Sequence, residues 1–122
     1  MNLFRRIFNR KTPTENDVLN KSIALAMEFG ENWLTPIQAR LKKKFPALTS
    51  VELDNYNEIS NDVLKISHEF VYKNYTNLER KPLKSLKEKH RDYILSKFNW
   101  LSERSISNLL NQGLYYANKG WK

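Results

Sequence analysis

His68 and His90 are the side chains best suited to proton transfer or metal ligation here, because the chain has 2 histidines and no cysteine. On a helix, converging ligands stand three or four residues apart. His68 has Leu64, Lys65, Val71 and Tyr72 at those places, and His90 has Leu86, Lys87, Tyr93 and Ile94. Neither meets a carboxylate or a second histidine. The sequence therefore predicts no catalytic residue, no metal site and no cofactor, with His68 at a core edge and His90 on a solvated face. Glu58 and Asp62 are four apart, but Asp62 with Lys65 and Lys65 with Glu69 form the attractive pairs of a solvated helix face. Gly30, Gly113 and Gly120 are isolated, so no glycine-rich phosphate loop can be built. The expectation is a non-enzyme.

Charge and aromatic residues then carry the functional reading. A net charge of +8 points to an anionic partner. Arg40, Lys42, Lys43 and Lys44 form one basic cluster, and Lys84, Lys87 and Arg91 belong to another. The second is followed by Arg104, Ser105, Asn108, Asn111 and Gln112, residue types that hold phosphates or read base edges. Near the start, Leu3, Phe4, Ile7 and Phe8 share a helical face flanked by Arg5 and Arg6, the form of a membrane-surface or partner-contacting segment. Tyr115, Tyr116 and Trp121 are expected interface aromatics. Neighbours on a helix lie about 100 degrees apart, so Tyr115 and Tyr116 cannot both point inward.

The reading is a small, basic, non-enzymatic helical binding module, a protein–protein interaction or adaptor protein whose partner is an acidic protein or other anionic macromolecule. Nucleic-acid binding through a second helical hairpin (84–118) is the alternative. Peripheral membrane association through residues 1–11 is a further one.

The elements that must position these groups follow from apolar periodicity. A chain of 122 residues, 40% of them hydrophobic, reads as one domain, and 3 glycines and 4 prolines argue against many short strands. No apolar run approaches the roughly 18 residues a membrane span needs. The absence of cysteine and of an apolar stretch after the basic start fits a cytoplasmic protein.

Residues 1–14 read as a basic amphipathic arm ending at Thr12-Pro13, and residues 15–122 as a single helical domain. Val18, Leu19, Ile23, Ala24, Ala26 and Met27 define a first helix stopped by Gly30. Thr35-Pro36-Ile37-Gln38 reads as a capping box opening a short helix through Lys44. Thr49-Ser50-Val51-Glu52 reads as another, opening a long helix to about Asn77. Its inward stripe is Leu53, Tyr56, Val63, Leu64, Phe70 and Val71, with Ile59 or Ser60 and Ile66 or Ser67 undecided.

A polar linker is expected from Asn74 to Leu83. A helix follows over Leu86 to Lys97 with Leu86, Tyr93, Ile94 and Phe98 inward, and then a Ser102-capped helix through Leu114. The corners Lys44 to Thr49 and Lys97 to Ser102 match in kind: helix end, aromatic, turn ending in leucine, hydroxyl cap. They read as a shared turn solution or a duplication. The expected fold is all-α, a compact bundle of about five helices around two helical hairpins, with a short basic N-terminal arm.

Overall fold

The structure, a computed structural model, describes residues 14–75 and 83–119. They form α1 (Glu15–Ala26), α2 (Gln38–Lys44), α3 (Ser50–Tyr75), α4 (Leu83–Lys97) and α5 (Glu103–Asn118), with one 3-10 turn at Gly30–Asn32. The all-helical bundle is as expected. Leu3, Phe4, Arg5, Arg6, Ile7, Phe8 and Trp121 lie outside the described residues, and so does most of the expected linker. Asn74 and Tyr75 belong to α3 and Leu83 opens α4, because the helical pattern outruns the polar composition.

Three helix starts follow hydroxyl residues, and the expected one at α2 does not. Thr49 Oγ1 accepts from Glu52 N at 3.2 Å while Thr49 N donates to the Glu52 carboxylate at 2.8 Å, a reciprocal cap. Ser102 Oγ accepts from Ser105 N. Thr14 and Asp17 form a further capping box at α1 that the sequence reading passed over.

The expected box at Thr35 does not form. Thr35 Oγ1 instead donates to Asn32 O at 2.7 Å, and Gln38 reaches across to Asp54 Oδ1 at 3.1 Å. Asn57 of α3 caps α2 from outside, accepting from Ile37 N at 3.0 Å. A tertiary acceptor has replaced the local one.

The two corners use one hydrogen-bond pattern. Phe45 N donates to Leu41 O, Leu48 N to Phe45 O and Leu53 N to Thr49 O; Phe98, Leu101 and Ile106 repeat this on Ile94, Phe98 and Ser102. Each corner tucks its leucine inward. Leu48 packs on the cluster that holds Leu53, and Leu101 shares a cluster with Ile106.

The core has three parts strung along α3. Val18 and Leu25 of α1 meet Ile37 and Leu41 around Leu53. Ile23, Met27, Ile94, Leu101, Ile106 and Leu109 gather on Val63, and Leu86 and Leu110 close on Val71. Burying each such side chain contributes about 1.5–3 kcal/mol. At the two undecided positions of α3 the serines win: Ser60 and Ser67 are fully buried, while Ile59 and Ile66 pack at the edge. α5 approaches α3 closely at Val71. A Cβ placed on Gly113 would stand 2.9 Å from Val71 Cγ2.

Tyr93 points outward rather than inward, 37% exposed, because Ile94 and Leu86 already fill the buried side of α4. It stacks on Phe70 with ring centroids 4.6 Å apart.

Candidate functional site

α1 ends at Ala26, before Gly30, and the chain from Met27 to Ile37 crosses the end of the bundle. Gly30, at φ 79, makes the first bend without Cβ strain. This segment places Phe29, Trp33 and Leu34 at the surface, 53%, 37% and 78% exposed, beside Tyr115 at 45%. Phe29 meets Tyr115 edge-on at 5.6 Å and lies 6.5 Å from Trp33, and Tyr115 lies 5.7 Å from Tyr116. The result is a continuous aromatic ridge.

Three contacts hold the ridge. Trp33 Nε1 donates to the Tyr116 hydroxyl at 2.8 Å. Gln112 Nε2 donates to Met27 O at 2.9 Å. Arg40 spreads its guanidinium over Leu25 O, Thr35 O, Pro36 O and the Glu28 carboxylate, at 2.6–3.3 Å. Among the described residues Leu34 is the one non-glycine at positive φ, 64°. A left-handed backbone costs a branched residue about 1–2 kcal/mol, yet this leucine buries almost nothing in return.

A cleft flanks the ridge on each side. One, of about 430 Å³, is lined by Ala26, Trp33, Leu34, Asn61, Leu64, His68 and Tyr116. The other, of about 400 Å³, is lined by Ala24, Met27, Phe29, Asn108, Asn111, Gln112 and Tyr115.

His68 forms part of the first wall, its ring 5.0 Å from Tyr116 and edge-on to it. Burial pulls its pKa from the ordinary 6.5 to about 4, against a smaller opposing effect of the Gln112 amide. Its core-edge position was legible. His90 was not: it is fully buried, shares a 2.8 Å hydrogen bond with Ser67 Oγ, and is likewise lowered to about 4 by burial and by His68. Among the described residues no carboxylate takes part. Among the described residues no group of three or more His, Asp and Glu converges as a metal site would need.

The expected phosphate and base contacts divide. Arg40 is committed internally, and Lys42 Nζ, though exposed, donates to Leu48 O at 2.8 Å. Arg91 pairs with the Glu103 carboxylate. Ser105 and Gln112 are buried, holding Asn20 and Met27 O. Lys43, Lys44, Lys84, Lys87, Arg104, Asn108 and Asn111 remain exposed.

The two basic clusters do not merge. α2 packs at Leu53 and the start of α4 at Val71, about 27 Å along α3 at 1.5 Å per residue. Tyr115 is exposed as an interface aromatic should be, whereas Tyr116 is a buried wall of the ridge, 9% exposed.

The sequence reading missed Phe29, Trp33 and Leu34, although a cluster of two aromatics and a leucine in a non-periodic segment was the available signal. It also missed Asn20, which donates to Trp100 O and accepts from Ser102 N and Ser105 Oγ, pinning α1 to the second corner. Set against known protein families, curated proteins and solved structures, the chain matches none.

Proposed function

We propose that this protein is a non-catalytic interaction module that docks a partner protein on the aromatic ridge. One observation carries the reading: Phe29, Trp33 and Leu34, on a segment fastened by Arg40, Gln112 and the Trp33–Tyr116 hydrogen bond, are exposed together with Tyr115 of α5, between two clefts. Aromatic residues on a rigid support bury large area at little entropic cost and dominate protein interfaces. The clefts would receive the partner's apolar side chains. The chain's excess positive charge would favour an acidic one.

Leu34→Gly is the decisive variant, since glycine relaxes the left-handed backbone and so preserves the fold while deleting the exposed side chain. Full-length protein immobilised in a lysate of its native cells should retain a specific protein that Leu34→Gly and Trp33→Ala release. Equal retention by all three forms would exclude the ridge as the docking surface.

Nucleic-acid binding stands as a second reading, favoured by the exposure of Arg104, Asn108 and Asn111 on one edge of α5. It requires a duplex shift at low salt that weakens steeply as salt rises.

A further inference from the structure

α5 turns one edge to solvent along its whole length. Arg104, Asn108, Asn111, Tyr115 and Lys119 recur three or four residues apart and are all exposed, so they form a single line. Asn108, Asn111 and Tyr115 make one wall of the cleft whose opposite wall is Ala24, Met27 and Phe29. The Lys119 ammonium stands 5.4 Å above the Tyr115 ring at one end of the line, and Arg104 occupies the other. The acidic residue of α5, Glu103, is engaged by Arg91. The exposed line thus has cationic ends beyond the cleft and a carboxamide middle inside it, facing an apolar far wall.

We infer that this groove binds an acidic peptide segment in extended conformation, an identification of the partner that rests on the interaction reading above. A carboxamide offers a donor and an acceptor from separate atoms, matching the N–H and C=O of a peptide unit. Two asparagines one turn apart therefore hold an extended backbone whatever its side chains, and the ends of the groove select by charge. Arg104 and Lys119 are separated by about 22 Å of helix, the length of about seven extended residues. The matching segment carries a carboxylate near each end and, between them, one apolar side chain seated in the cleft against Ala24, Met27 and the touching rings of Phe29 and Tyr115. A nucleic-acid strand fits less well, because it brings a phosphate with every nucleotide and the cleft lining between the ends has no cation.

The test is an array of fluorescent nonapeptides, each with an acidic residue near both ends and one leucine or phenylalanine at varied positions between. Lysine-for-acid versions and a decathymidylate oligonucleotide serve as controls. Binding to the full chain is read by anisotropy, and its location by the Asn108 and Asn111 side-chain amide resonances. Acidic peptides should bind saturably and move those resonances. Asn108→Ala/Asn111→Ala and Arg104→Glu/Lys119→Glu should each weaken binding at least about tenfold, with circular dichroism unchanged because the four residues are exposed. The inference fails if no acidic peptide binds, if the asparagine pair is indifferent, or if the oligonucleotide is the tighter ligand at these amides. Failure here with partner capture still lost in Leu34→Gly leaves the ridge reading intact. Partner capture indifferent to Leu34→Gly and Trp33→Ala removes that reading by itself.

Discussion

A buried histidine stays neutral when only one ring nitrogen has a partner, because the charged ring needs two acceptors. His90 is in that position: Nε2 shares the Ser67 hydroxyl and Nδ1 has no partner among the described residues. Both His90 and His68 fall from 6.5 to about 4. Between those values the unfolded chain takes up protons that the native state refuses, so stability rises with pH through the window. It should be complete above pH 6.5 and decline toward pH 4, by on the order of 3 kcal/mol per ring. Urea midpoints measured from pH 7 to 4 check this, and His90→Gln should remove about half of the decline. A midpoint as pH-dependent in the variant as in the parent would show that His90 does not titrate as its burial requires. At the same scale Leu34 presents the opposite case, an apolar side chain held in water against its backbone preference, so its replacement by glycine should leave the thermal midpoint unchanged or raised.

Helix ends separate what is local from what is borrowed. Thr49→Ala removes a reciprocal cap and should cost about 1 kcal/mol, read as a lower thermal midpoint. Thr35→Ala should cost less. Its hydroxyl caps no backbone N–H, bonding instead to Asn32 O and the Arg40 guanidinium, and the α2 start keeps its bond from Ile37 N to Asn57 Oδ1. If Thr35→Ala proved the costlier, α2 would depend on Thr35 after all. The motif S/T-x-x-E/Q describes both sites equally well. What divides them is that Asn57 and Asp54 of α3 lie within reach of α2 and draw Ile37 and Gln38 away from Thr35. That neighbour is invisible in a local window.

The molecule as a whole hangs on the α3–α5 packing. Gly113 lies against Val71 so closely that an added methyl has no room. Helix propensity alone favours alanine over glycine by about 1 kcal/mol, whereas overpacking costs about 1–3 kcal/mol. Gly113→Ala should therefore destabilise, and Val71→Ala in the same chain should recover part of the loss. A stabilised Gly113→Ala in chemical denaturation would mean that the helices stand further apart. The same packing decides the surface. Placing α2 and the start of α4 at distant points of α3 keeps the basic clusters apart, and bringing α5 beside the end of α1 joins Phe29 and Trp33 to Tyr115 and Tyr116 across more than eighty residues of chain.

By itself the sequence determined the helices, the hydroxyl caps at Thr49 and Ser102, the repeated corner and the outward turn of one of the paired tyrosines, because these depend on a period of 3.6 residues and on hydrogen bonds within one turn. Only the tertiary structure decided the burial of His90, the internal use of Arg40, the choice of Ser60 and Ser67 over their isoleucine neighbours, and the meeting of Phe29, Trp33 and Tyr115. Each depends on which distant surface arrives to exclude water or to offer an acceptor, and a helical period states which face is apolar without stating what will cover it.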